Sequence, residues 1–274
     1  MSHQNSLQVI AITSGKGGVG KTNVAINIAV HLASAGRKVM LFDADLGLAN
    51  VDVALGLKPE HSIEQVLNGS CSLEDIVIEG PAGVLIIPSV SGVAEMTDLS
   101  PQQHAGLVHA FGELPIELDT LIVDTAAGID SSVLTFSAAC QEIVIVVCDE
   151  PTSLTDAYAL IKVLNQRHGI KRFQIVSNMV DHDRGGSKLY EKLCRVTDQF
   201  LEVQLGYLGY IPRDDYLRRA VRQQEAVVTA FPRSASARAF AKVSQQLSCS
   251  ASEPKVGGLT FFIERLMDYQ GRGA

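Results

Sequence analysis

Residues 7–22 read LQVIAITSGKGGVGKT. An apolar, β-branched run stops at a glycine-rich turn, and a helical pattern, NVAINIAVHLASAG (23–36), begins directly after it. GKGGVGKT (15–22) fits G-x-x-x-x-G-K-[ST], and a strand before it with a helix behind it is the context that pattern requires. Such a loop turns its backbone N–H groups inward around phosphate oxygens, and the helix N-terminus adds its positive end. Gly15, Lys16, Gly17, Gly18, Val19, Gly20, Lys21, Thr22 and Asn23 are therefore expected to cradle the phosphates of a nucleotide. Lys21 is expected at the β- and γ-phosphates, and the Thr22 hydroxyl at Mg²⁺. Lys16 falls where the general pattern leaves the position free, and it puts an extra cation at the mouth of the cradle.

Further apolar runs follow: KVMLFDA (38–44), GVLIIPS (83–89), TLIVDTA (120–126), EIVIVVCD (142–149), FQIVSNMV (173–180) and LGYLGYIP (205–212). Most are apolar throughout, as strands covered on both faces are. Between them, SLTDAYALIKVLNQRHG (153–169) reads as a helix with a serine cap and a glycine stop, and more helices are expected within 100–112, 187–203, 214–224 and 234–247. The alternation predicts an α/β fold: a doubly wound, mostly parallel sheet with helices on both faces. In such folds the ligand lies beyond the carboxyl ends of the strands. That rule singles out Asp43 and Asp45, one strand period apart, Asp124 at the end of LIVD, and Asn178 at the end of FQIVSN. The amide of Asn178 can match the donor and acceptor on an adenine edge, although a strand-end asparagine is often only a turn former.

The formal net charge of −7 gives no global attraction for nucleic acid. The five cysteines form no C-x-x-C pair, and the histidines have no metal-ligand spacing, so neither a disulfide framework nor a metal cluster is expected. No signal-peptide pattern and no bilayer-length apolar run occur, so a cytoplasmic location is expected. Residues 1–247 read as one nucleotide-binding domain, 248–257 as a small polar linker, and 258–274 as a helix with a tail. At helical spacing Leu259, Phe262, Ile263, Leu266 and Met267 share one face of that helix. Such a face packs on its own domain or lies in a membrane interface, and both can hold if it is docked in one state and released in another.

KGGVGKT resembles the deviant Walker A motif of the MinD/ParA group of P-loop ATPases. LFDADLGLANVD (41–52) is similar to the group's first switch region, LIVDTAAGID (121–130) to its Walker B and second switch, and DEPTSLTDAYALIKVL (149–164) to the segment facing the partner subunit. The likeness runs from about residue 8 to 247, and within the group it is strongest to the flagellar-number regulators called FlhG or FleN.

The resemblance implies that ATP, with Mg²⁺, joins two monomers face to face, and that hydrolysis to ADP separates them. Lys16 would reach across to the other copy's phosphates and join Lys21 and Asp45 in catalysis. Glu150 and Asp156 would hold the Lys16 of the second copy, with Glu150 beside the nucleotide. Asp43 and Asp124 would support the Mg²⁺ hydration shell with Thr22, and Asp45 would orient the attacking water. Pro212 and Asp214 occupy the family positions near the base, beside Asn178. The implied partners are an enhancer-binding transcription activator of flagellar genes, the polar GTPase FlhF, components of the flagellar switch ring, and membrane lipid through the C-terminal helix. The implied place is the inner face of the cytoplasmic membrane at the cell pole. The segment HQNSLQ (3–8) departs from the glutamine-containing motif by which relatives stimulate FlhF. A ParA-type ATPase that positions DNA or cargo is the alternative, with Arg218, Arg219 and Arg222 as its basic candidates.

Overall fold

The computed structural model describes residues 7–45, 50–89, 101–114 and 116–250, together with Leu259, Phe262, Glu264, Arg265 and Leu266. Its strands are β1 (Gln8–Ser14), β2 (Val39–Ala44), β3 (Ile78–Glu79), β4 (Leu85–Ile87), β5 (Thr120–Ala127), β6 (Glu142–Val147), β7 (Arg172–Val180) and β8 (Gln204–Pro212). They form one sheet in the order β3-β4-β2-β5-β1-β6-β7-β8. Every neighbouring pair is parallel except β3 with β4. The helices are α1 (Lys21–Ser34), α2 (Val51–Leu55), α3 (Ile63–Leu67), α4 (Leu73–Ile76), α5 (Pro101–Gly112), α6 (Ser131–Ala139), α7 (Pro151–His168), α8 (Asp183–Phe200), α9 (Asp215–Arg222), α10 (Val227–Ala230) and α11 (Ala235–Ser250).

The expected doubly wound sheet is the one found. All seven residues of β1 are buried, and they divide by the strand period of two. Ile10 and Ile12 face the side covered by α1 and α11, where Ile28, Phe240 and Val243 complete the core. Val9 and Ala11 face the other side, with Phe42, Phe111 and Phe136. A third cluster packs α7 and α8 on β6 and β7 through Leu160, Phe173 and Leu189.

Two boundaries differ from expectation. The helix expected to open on a Ser153 cap starts at Pro151, with Glu150 as its N-cap. Proline at the first helical position has the right φ and no N–H to waste. Ser153 is buried inside the helix, where its hydroxyl accepts from the Cys148 N–H at 3.1 Å. The first residues of the segment read as a linker, 248–250, are helical, because α11 continues to Ser250. The guanidinium of Arg37 donates to the Ser248 hydroxyl at 3.2 Å, and Gln8 Nε2 donates to the Leu247 carbonyl at 3.1 Å, so the last turn is tied to the sheet. The short β3 and the helices α2, α3, α4, α6 and α10 were too brief or too small-residue to stand out as periodic patterns.

The described tail residues are helical and lie against the second core cluster. Phe262 and Leu266 are buried, and Leu259 is half-buried. The Phe262 ring meets Phe111 edge to face, with centroids 6.0 Å apart. Glu264 stays exposed. Of the two destinations open to this apolar face, the structure has the core. Ile263 and Met267 lie outside the described residues.

Candidate nucleotide site

The glycine-rich loop leaves β1 at Ser14 and enters α1 at Lys21, at the carboxyl edge of the sheet. Gly20 caps α1 with φ +84°, a left-handed conformation that disfavours any Cβ. A Cβ there would also fall 2.4 Å from Asn178 Nδ2, so the loop lies directly on the end of β7. Gly15 is needed for closeness instead: a Cβ would fall 2.2 Å from the Asp156 carbonyl of α7. The turn after β5 is tied to the start of the loop, where the Gly128 N–H donates to the Ser14 carbonyl at 2.9 Å.

The loop opens on a cavity of about 620 Å³, whose lining includes Lys16, Lys21, Thr22, Asp45, Asn50 and Met179. Lys21 is buried and its Nζ lies 2.7 Å from Asp124 Oδ1. Asp124 and Asp43 are register partners on the adjacent strands β5 and β2. Burial, and then the neighbouring Asp124 charge, push the Asp43 carboxyl up to about 7. Three backbone N–H groups oppose that rise: Asp43 accepts from Asp45 at 3.2 Å, Asn50 at 3.0 Å and Val51 at 3.1 Å. Asp43 therefore holds the backbone at Asp45, Asn50 and Val51 together as well as carrying charge. The other Asp124 oxygen, Oδ2, is buried without a hydrogen-bond partner.

Paired buried carboxylates, an orphaned oxygen and a lysine at a helix N-terminus suit a Mg²⁺–phosphate ligand. Thr22, Asp43 and Asp124 are the residues that would support the ion. Asp45 lies just past β2, and its Oδ2 accepts from Asn50 Nδ2 at 3.1 Å. Its carbonyl accepts from the Ser89 hydroxyl at 2.7 Å. Asp43 and Asp45 were expected to point the same way, but only Asp45 lines the cavity, because the chain leaves β2 at Ala44.

A second cavity of about 500 Å³ continues from the first and is lined by Asn178, Met179, Pro212, Arg213, Asp214 and residues of α9. Asn178 was read as offering both a donor and an acceptor to a base. One N–H of its Nδ2 donates to the Val19 carbonyl at 2.7 Å, while its buried Oδ1 has no hydrogen-bond partner. The amide therefore keeps an acceptor and a second N–H, the pair that an adenine edge can match. Asp214 lines the cavity, but its carboxylate accepts from the Tyr216 N–H and from both the N–H and hydroxyl of Ser236, at 2.8–2.9 Å. It holds the loop before α9 in shape. A larger cavity of about 680 Å³, between α4 and α5, is distant from these residues and lined by Leu73, His109 and Leu114.

Lys16 stands at the mouth of the phosphate cavity, and its Nζ donates to Glu150 Oε2 at 2.5 Å and to Thr152 Oγ1 at 2.8 Å. Glu150 was expected to hold the Lys16 of a second copy; within this chain it holds its own. The Lys16 hydrogen bond keeps the Glu150 carboxyl below its ordinary range. The helix start at Pro151 places both acceptors beside the loop. Asp156, one turn along α7, meets the loop through its backbone at Gly15. Met179, Asn50, Ser89 and Thr152 were not identified from the sequence. Asn50 lies within a switch-like segment that was, but Met179 gives no signal until its backbone is seen.

Fold and site together define a P-loop nucleotide-binding protein of the doubly wound class. Residues 10–227 match the family model of the CobQ/CobB/MinD/ParA nucleotide binding domain, and the chain belongs to that family. It is an ATPase of the MinD/ParA type, working with ATP and Mg²⁺. The chain is 52% identical to the antiactivator FleN of Pseudomonas aeruginosa, covering all of this chain and 98% of that one. It is 35% identical to the flagellum site-determining protein YlxH of Helicobacter pylori, over 98% of this chain and 92% of that one. The septum site-determining protein MinD of Pyrococcus horikoshii, solved with Mg-ADP, superposes with a TM-score of 0.72 at 27% identity, covering 92% of this chain and all of that one.

Proposed function

We propose that this chain is a nucleotide-timed regulator of flagellar number and placement. ATP joins two copies, and the joined form makes protein and membrane contacts that the monomer does not. The relatives' functions support the flagellar setting: one is an antiactivator and another determines a flagellum site. The partners in this reading are a flagellar transcription activator, components of the flagellar switch ring and the FlhF GTPase. Residues 1 to about 250 form the ATPase domain, and the helix from about 258 is a reversible anchor to the inner face of the cytoplasmic membrane, at the cell pole.

One observation carries the reading: Lys16 lies at the cavity mouth, about one-third exposed, with Glu150 more than half exposed beside it. Solvent screens an exposed ion pair, so little holds Lys16 in its own chain. The phosphates of a facing nucleotide, in a dehydrated interface, are the stronger anionic partner. Glu150 and Asp156 are then available to the Lys16 of the facing copy. Lys16→Ala is expected to leave ADP binding near parental but to keep the protein monomeric in ATP. Light scattering after size-exclusion chromatography measures this, and a parental amount of dimer would refute the role of Lys16. DNA is the less favoured partner. Arg219 stacks over Tyr216 and Phe231, Arg218 is 3.5 Å from Asp215, and Arg218 and Arg222 line the nucleoside cavity.

The tail's two destinations compete for the same side chains. Burying Phe262 and Leu266 in the core removes them from water, at about 1.5–3 kcal/mol each, and a bilayer interface offers a similar gain. A single tail is therefore marginal on either surface, whereas two tails in one dimer bind with avidity of about 10²–10⁴-fold. Removal of residues 255–274 is expected to abolish ATP-dependent sedimentation with phospholipid vesicles. Unchanged sedimentation would leave the tail as part of the core only.

A further inference from the structure

We propose that Met179 is the shelf on which the nucleoside half of the ligand rests, so that it determines how much base and sugar add to binding by the phosphates. The inference rests on the reading of this cleft as the ATP site.

Met179 is at the junction of the two cavities and lines both of them. Gly20 and Asn23 are the other residues common to the two linings. A Cβ on Gly20 would come within 3.0 Å of Met179 Cε, so the thioether end of the side chain lies over the phosphate loop. Even so, Met179 is 38% exposed, so part of the side chain is left open to the cleft.

Its backbone is the second observation. Met179 has φ +55°, in the left-handed region that disfavours a residue bearing a Cβ. The conformation is held from outside: Arg213 Nε donates to the Met179 carbonyl at 2.8 Å, and the Arg213 N–H donates to the Val180 carbonyl at 2.9 Å. The turns after β7 and β8 thus lock each other. Glycine would take this conformation without strain. A strained methionine facing a cleft is accounted for when its side chain has a use there.

The chemistry fits a purine. An unbranched, polarisable thioether makes favourable contact with an aromatic ring and adapts to its position. The adjacent Asn178 contributes the acceptor for the base edge, and Met179 contributes a face. Two consecutive residues at the end of β7, both reaching over Gly20, then meet the nucleoside together.

Calorimetric titration of the full chain in Mg²⁺, with ADP and separately with pyrophosphate, tests this. Pyrophosphate presents the same two phosphates without the nucleoside. Met179→Gly removes the shelf and relieves the backbone, Met179→Asn keeps a residue tolerant of the left-handed region, and Met179→Leu keeps the apolar bulk. ADP affinity is expected to fall about three- to tenfold in the Gly and Asn variants, with pyrophosphate unchanged and Leu near parental. Equal losses for both ligands would mean that the loop had moved, and would overturn the proposal. So would parental ADP affinity in Met179→Gly. Parent protein that binds pyrophosphate but not ADP would instead sink the underlying reading of the cleft.

Discussion

Lys21→Ala is expected to abolish binding of ADP and ATP at micromolar protein, a loss of about 10²–10³-fold. Charge-assisted bonds to phosphate contribute about 1.5–3 kcal/mol each, and two of about 1.5–2 kcal/mol from Lys21, which lines the cavity, would account for that loss. The same lysine also has a structural role, because its Nζ lies 2.7 Å from Asp124 and both groups are buried. Removing one member of a buried pair costs about 3–5 kcal/mol through the charge left behind. Asp43, the register partner of Asp124, worsens that charge. A lower melting temperature is therefore expected together with the loss of binding. The double variant Lys21→Ala, Asp124→Asn separates the two effects. It should recover much of the melting temperature while still failing to bind ADP in calorimetry. Recovery of ADP binding would assign the first loss to instability, and retained affinity in Lys21→Ala would refute the phosphate assignment outright.

Asp45→Ala is expected to lower ATP turnover by about 10²–10⁴-fold, the range for removal of a group that orients or deprotonates a nucleophile. Nucleotide binding should survive. The carboxylate of Asp45 contacts Asn50, but the backbone of the first switch is held by Asp43, which accepts from the Asp45, Asn50 and Val51 N–H groups. The scaffold does not depend on the side chain being removed. Asp45→Asn, which keeps an acceptor near Asn50 but is a poor base, should be nearly as slow. Single-turnover hydrolysis and light scattering in ATP are the paired measurements. A slow protein trapped as an ATP-bound dimer fits the role given; an ATP-bound monomer, or parental turnover, contradicts it.

The sequence alone determined the sheet and the phosphate loop because both depend on local chemistry. Short apolar β-branched runs bounded by turn residues favour buried strands, and a G-x-x-x-x-G-K-T turn between strand and helix has one common use. Asp43 and Asp124 were legible for the same reason, since strand ends point to the ligand edge of an α/β sheet. The tertiary structure decided what depends on residues far apart in the chain. The Asn178 amide is tied by one N–H to the Val19 carbonyl, 159 residues away, which sets the amide's place beside the loop. Glu150 is a free carboxylate in sequence and the holder of Lys16 in space, across 134 residues. The tail's amphipathic pattern fits a bilayer or a core equally, and Phe111 and the neighbouring core residues decide where Phe262 lies. The physical reason is common to all three. A side chain's hydrogen-bonding capacity and apolar face are written locally, but which partner uses them is fixed by packing that brings distant segments together.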